Sequence, residues 1–364
     1  MLLMTIAASS VNRGRRVAPA SGGGGSTALA TQAASMSSGD WAQMSSTPTG
    51  LGLFTGQQGS SGVAIAYASK LGRDPNNKKL YFLGCDHGDE TLFLGYDETS
   101  NGWAEEAASV PWGIEASGTT SHGYDHTVYD DVHNKLYHRP YGTLALRRWD
   151  GGTTWATLSH SGSLFYSAAS AGVAWFPDMG ANGRIVIYQL ENGSNGGLIS
   201  VDPVTTGVTV HDSGTSALAG TGDPHCFCIY SPQHACVVFG GGNGSSNIWK
   251  MNTSGTITQL DDIPAAITAT AGPAGDPCAL VFCQPSNGHI RVMQSASVSR
   301  LLNPSAGSGS QWSDPGGTSS ILSANTVGTG AYGVACAPIP EYGVVAFVKN
   351  WSAGSAAQMW LAKL

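Results

Sequence analysis

Three features of the 364-residue sequence predict an all-β fold built from repeats. Short apolar runs of strand length alternate with Gly, Pro, Asn and Ser clusters. One turn returns about every 50 residues. The chain also carries 50 Gly and only 11% charged residues. Four short strands make a sheet that cannot bury both faces alone, so the copies must pack on one another. An array of this period closes into a ring, and the sequence predicts a six-bladed β-propeller of four-stranded antiparallel blades.

Residues 1–36 lack the period and are rich in Gly, Ser, Ala and Thr, with Gly22 to Gly25 as a linker. They read as a flexible arm ahead of a propeller at 37–364. The apolar stretch Met1 to Ala8 is followed by Arg13, Arg15 and Arg16 and preceded by no Lys or Arg, the reverse of the charge order in a secretory signal. No other segment has the length and apolarity of a membrane span.

The recurring turn lies between the first two strands of each repeat, where Pro fixes its own φ and ends the strand before it. It falls at Pro75, Pro177, Pro232, Pro285 and Pro340, and at Asp131 without a Pro. Residues 226–264 show the whole unit. An apolar run at 226–230 meets Ser231-Pro232-Gln233, and a second run at 235–239 ends in Gly240-Gly241-Gly242. A third strand at 247–251 centres on Trp249, and a fourth at 256–260 follows Thr253-Ser254-Gly255. The last copy stops at its third strand, residues 358–364. Gly39-Asp40-Trp41-Ala42-Gln43-Met44 resembles the fourth strands of the first two blades, Gly102-Trp103-Ala104-Glu105 and Thr154-Trp155-Ala156-Thr157. It is expected to complete the last blade and shut the ring, which removes an open sheet edge.

The Gly pair after strand two, the aromatic in strand three and the Trp near the last strand resemble the kelch repeat, over about nine tenths of the chain. The resemblance implies the propeller fold and leaves activity open, because kelch-like propellers of the galactose-oxidase type include scaffolds, glycan binders, oxidases and lyases.

A net charge of -7 argues against nucleic acid or an anionic membrane as the main partner. The sparsely charged, polar surface suits sugars. Seven Cys, mostly inside expected strands, read as buried free thiols of a protein that matures in a reducing compartment. A sharper reading groups His225, Cys226, Cys228, His234 and Cys236 on one hairpin as zinc ligands. Strand alternation sends Cys226 and Cys228 to one face and His225 to the other, and the spacing matches no zinc signature, so no metal or other cofactor is expected.

The second blade departs from apolar filler. Ser121-His122-Gly123-Tyr124-Asp125-His126-Thr127-Val128-Tyr129 occupies the place of strand one, next to the axis. At period 2, His122, Tyr124 and His126 share a face, and the facing strand adds Tyr137, Arg139 and Tyr141. These six residues form the candidate ligand-binding group at the channel mouth. In a lyase, His122, Tyr124, His126 and Arg139 would act as base, acid and charge neutraliser. The blander reading has them hydrogen-bonding between blades. Walker, Gly-x-Ser-x-Gly, His-Glu-x-x-His and EF-hand motifs are all missing.

Two functions follow. One is a non-catalytic recognition or structural propeller that presents loops to a surface glycan or protein, anchored by residues 1–36 in a phage or other surface assembly. The alternative is a polysaccharide lyase acting on an acidic, uronate-containing glycan.

Overall fold

A computed structural model of the protein describes residues 26–55, 64–65, 68–85, 91–110, 123–140, 145–158, 170–190, 196–212, 218, 226–242, 245–268, 280–294, 298–316, 333–350 and 355–364. Its strands form six four-stranded antiparallel sheets arranged as a propeller. Blade 1 runs from the axis outward through β2 (Gly72–Asp74), β3 (Lys79–Gly84), β4 (Leu92–Asp97) and β5 (Gly102–Glu105). Blade 2 holds β6 (Thr127–Asp130), β7 (Lys135–His138), β8 (Leu146–Trp149) and β9 (Trp155–Leu158). Blade 3 holds β10 (Ser170–Phe176), β11 (Arg184–Leu190), β12 (Gly196–Val201) and β13 (Val208–Asp212). Blade 4 holds β14 (Phe227–Ser231), β15 (Cys236–Gly240), β16 (Ile248–Asn252) and β17 (Ile257–Gln259). Blade 5 holds β18 (Leu280–Cys283), β19 (Ile290–Met293), β20 (Ser299–Leu302) and β21 (Trp312–Ser313). Blade 6 joins β22 (Val334–Ile339), β23 (Val344–Lys349) and β24 (Gln358–Ala362) to β1 (Trp41–Gln43).

The expected closure is present. Trp41 stands opposite Ala362 and Gln43 opposite Trp360, so β1 is the fourth strand of blade 6. Each marker turn joins the first two strands of its blade. The seams between blades carry the core, with one apolar cluster at each junction of neighbours. Between blades 3 and 4, for example, Phe176, Val186 and Tyr188 meet Val237, Phe239 and Trp249. Alternation explains this: both faces of every sheet are covered, so both sets of alternate side chains are apolar.

The turns between first and second strands are also stitched together around the ring. Asn76 donates to the Asp131 carbonyl at 2.8 Å, Trp175 Nε1 to Asp131 Oδ1 at 2.9 Å, and the Tyr230 hydroxyl to Asp178 at 2.5 Å. Ser231 then donates to the Gly288 carbonyl at 2.6 Å, and Arg73 Nε to Glu341 at 3.0 Å.

Part of the expected arm is ordered. Helix α1 (Ala28–Ser35) is capped by Thr27, whose hydroxyl accepts from the Ala30 amide at 3.2 Å. Leu29 and Ala33, one turn apart, are fully buried against blades 6 and 1. Gln32 ties the helix to the closing strand by donating to the Gln43 carbonyl at 2.9 Å and accepting from the Ser45 amide at 2.7 Å. The Ala-rich composition that resembles a linker also has high helix propensity, and docking of Leu29 decides between them.

Candidate functional site

Antiparallel order places the start of each innermost strand, the end of each second strand and the start of each third strand at one end of the propeller. From this end leave the longer connections, such as Glu105 to Thr127 and Gln259 to Leu280, whereas the opposite end has tight turns such as Asp74 to Lys79. Binding residues concentrate on such loops carried by a rigid scaffold.

At this end the inner strands close on one another. Ala68 bridges in parallel to Tyr124, Lys70 to Cys336 and Asp125 to Gly172. The Ser69 amide donates to the Tyr124 carbonyl at 3.0 Å, and the Cys336 amide to the Ser69 carbonyl at 3.1 Å. Gly172 allows blade 3 to approach blade 4, because a Cβ there would lie 2.4 Å from the Phe227 carbonyl carbon.

Lys70 and Asp125 meet at the centre. Lys70 Nζ lies 2.8 Å from Asp125 Oδ1 and donates to the carbonyls of Val173 at 2.6 Å and Cys228 at 2.9 Å. Its three N–H donors thus have acceptors on blades 2, 3 and 4. Asp125 Oδ2 accepts from the Cys228 amide at 2.7 Å, and its carbonyl accepts from the Val173 amide at 3.0 Å. The side chains are 14% and 4% exposed. Burial pushes the Asp125 carboxyl up to about 6, against the pull of Lys70 and the backbone amides. Burial likewise raises the thiols of Cys228 and Cys336, which keeps them protonated. Between Gly123 and Asp125, Tyr124 has φ 30°, a strained value for a residue with a Cβ.

Of the residues singled out in the second blade, Tyr124, His126, Tyr137 and Arg139 are buried. His126 is 1% exposed, and its Nε2 accepts from the Ala171 amide of blade 3 at 2.9 Å. Tyr137 is fully buried in the seam between blades 2 and 3, beside Ala171, Val173 and Ile187. Arg139 is 1% exposed and donates to the carbonyls of Pro140 at 3.2 Å and Ala145 at 3.1 Å. Burial brings its guanidinium down to about 9. The Tyr124 and His126 rings are neighbours, with centroids 5.3 Å apart. Regular strand geometry begins only at Thr127, and the His126 amide turns back to the Gly123 carbonyl at 3.1 Å. Simple alternation therefore fails across Tyr124, and from Val128 onward the pleat sends this face into the seam. His122 and Tyr141 lie outside the described residues.

The hairpin considered for zinc is spread over three places. Cys226 and Cys228 pack toward blade 3, Cys236 packs toward blade 5, and His234 stacks on His289 at the tight-turn end with centroids 5.5 Å apart. His225 lies outside the described residues. Among the described residues no three His, Cys, Asp or Glu gather as a metal site.

Lys70 and Asp125 escaped the sequence reading. The signal was present in one respect: Asp125 is the acidic residue embedded in the expected first strand of blade 2, where other blades have apolar runs. Nothing local marked Lys70 as its partner.

Fold and axial arrangement together define a closed six-bladed β-propeller with its inner strands drawn together at the loop-bearing end. No family model matches the sequence, and no curated protein matches it. Among solved structures it is similar to a structural-genomics protein of unknown function from Bacteroides thetaiotaomicron, with TM-score 0.53 and 13% identity over 89% of this chain and 76% of that one. It is also similar to a streptogramin B lyase, with TM-score 0.50 and 10% identity over 85% and 97% of the two chains. A gluconolactonase from Xanthomonas campestris matches with TM-score 0.46 and 11% identity over 90% and 99%. The first two likenesses show the fold alone.

Proposed function

We propose that the protein is a non-catalytic recognition propeller that binds a glycan or protein surface through the loop-bearing end. In this reading the chain ahead of α1 attaches it to a larger phage or other surface assembly, and the blades are of kelch type. The observation that carries the proposal is the closure of the axis by Lys70 and Asp125, with His126 and Arg139 enclosed beside it. A general base must come within hydrogen-bond reach of its substrate, and His126 Nε2 already accepts from the Ala171 amide. A ligand arriving at this end therefore meets loops first.

Adjacency of Tyr124, His126 and Arg139 supports the second reading, a lyase on uronate-containing polysaccharides. Incubation with pectate and alginate, followed by absorbance of newly formed unsaturated ends, separates the two. The recognition reading expects no new absorbance and retention on an immobilised glycan or surface preparation. Product formation abolished by His126→Gln in a folded variant would replace it with the lyase.

A further inference from the structure

The joint between blades 4 and 5 gathers basic and titratable groups at the tight-turn end. His234 lies in the Pro232–His234 turn that joins β14 to β15, and His289 immediately precedes β19. Their rings stack across the joint with centroids 5.5 Å apart and planes inclined by 20°. Ser305, in the turn between β20 and β21, brings its hydroxyl to 2.7 Å from His234 Nδ1. Lys250 of β16 reaches the same turn, where its Nζ donates to the Pro304 carbonyl at 2.6 Å. That bond leaves two of the three ammonium donors for other acceptors. Both imidazoles and the lysine are partly exposed, and Ser305 is exposed.

Among the described residues no Asp or Glu pairs with His234, His289 or Lys250. Asp261, which meets the same turn, has its oxygens taken by the Ser308 hydroxyl and the Gly309 amide, each at 2.7 Å. The Cys236 thiol faces Lys250 and stays protonated, because burial raises it to about 11 against the pull of the ammonium. Burial holds Cys283, in the same seam, at about 12. Burial also lowers both imidazoles, and His289 and Lys250 lower His234 further, against the backbone of Asn287. Protonated, the two rings stand beside an ammonium with no counter-charge from the chain, and an anion supplies one. Protonation also reverses the Ser305 bond. A neutral His234 can accept the hydroxyl proton at Nδ1, whereas the imidazolium can only donate there, which leaves the Ser305 O–H to point outward.

We propose that His234, His289, Lys250 and Ser305 form a binding site for a tetrahedral oxyanion, sulfate or phosphate, at the joint of blades 4 and 5. Lys250 and the imidazolium rings supply charge, and Ser305 supplies a neutral donor on the exposed side. Anion and protons bind together. The empty joint prefers neutral rings, the occupied joint prefers charged ones, so the anion raises the proton affinity of the rings and, by linkage, acid tightens the anion. A free ion and an ester group on a glycan present the same chemistry to these four residues. The site lies at the end opposite the long loops and does not rest on what those loops bind.

Sodium sulfate is the probe, because its charge stays constant through the range in which imidazoles titrate, whereas that of phosphate does not. Histidine ring C–H resonances of the full chain are followed by NMR while sulfate replaces chloride at constant ionic strength, with the two rings assigned through His234→Asn and His289→Asn. The wild type is expected to show saturating shifts at both rings, with an affinity about five-fold higher at about pH 5.5 than at about pH 7.5. Lys250→Gln and Ser305→Ala are each expected to weaken sulfate about three-fold at the lower pH. Ser305 is exposed, so its variant tests the site without disturbing the seam. Shifts that do not saturate, an affinity that does not change with pH, or wild-type affinity in both variants overturns the site. Dextran sulfate against plain dextran separates the sources. Retention of the sulfated polymer by the wild type and not by Lys250→Gln supports the site with an ester as its ligand, and saturable sodium sulfate binding without such retention supports it with the free ion.

Discussion

The guanidinium carbon of Arg291 lies 5.6 Å from the centre of the Trp41 ring, so the strand that closes the ring is also gripped from the neighbouring blade. Arg291 projects from β19 of blade 5, and burial lowers its pKa. Stacking over an aromatic face offsets part of that desolvation. On the other side Trp41 meets Phe347 of β23, ring centroids 5.3 Å apart. Closure thus combines backbone pairing, which any extended segment can supply, with one side chain that fixes its register.

Trp41→Ala removes the register-fixing side chain and leaves Arg291 buried without its aromatic partner. The expected cost is about 3 kcal/mol, read as a lower urea midpoint. Trp41→Phe keeps a ring and should recover most of it. Equal midpoints for the wild type and the Ala variant would show that strand pairing alone closes the ring.

Helix α1 should contribute to the same closure. Leu29 is fully buried against blades 6 and 1, so Leu29→Ala should cost about 3 kcal/mol. Gln32→Ala should cost about 1 kcal/mol through its two bonds to residues 43 and 45. Thermal melts that coincide with wild type for both variants would return α1 to the status of a dispensable arm.

The blades were legible in the sequence because their signals are local. Pro232, Pro285 and Pro340 fix turns within a few residues of the strands they separate, and the strands of blade 4 came out within one residue of those observed. Even β1 could be matched to blade 6, because Trp41 repeats the pattern of Trp103 and Trp155. The helix was hidden because Ala, Ser and Thr suit linker and helix alike, and only tertiary docking of Leu29 separates them. The Lys70–Asp125 pair was hidden for a different reason. Lys70 and Asp125 come from different blades, and their pairing exists only once the inner strands have met. His126 accepts from the Ala171 amide of blade 3 and Tyr137 sits in the seam, a placement that strand alternation, which does not tell channel from seam, could not supply.

Gly172 tests how closely the inner strands must approach. A Cβ there would fall 2.4 Å from the Phe227 carbonyl carbon and 2.5 Å from the Cys228 amide nitrogen. Backbone must move to admit it, so Gly172→Ala should destabilise by about 2 kcal/mol and raise hydrogen exchange along β14. Unchanged exchange in a stable variant would mean that blades 3 and 4 have slack at the axis.

Two buried groups should bend the pH profile in opposite directions. Asp125 has its carboxyl raised from 3.8 to about 6, chiefly by burial. A raised folded value means that the native state binds the proton more tightly than the unfolded chain. Its contribution is full below the unfolded value and is lost as pH rises through about 6. Between these limits the wild type should lose on the order of 3 kcal/mol relative to Asp125→Asn. His138 behaves inversely. Buried, with Nδ1 2.9 Å from the Thr127 hydroxyl and beside Arg139, it is lowered from 6.5 to about 3. Its contribution is present above the unfolded value and is lost as pH falls toward about 3, so the wild type should weaken in acid relative to His138→Gln. Urea titrations from acid to neutral pH, taken as differences between wild type and each variant, isolate the two effects. A flat difference curve for Asp125→Asn would show that the carboxyl titrates at its ordinary value.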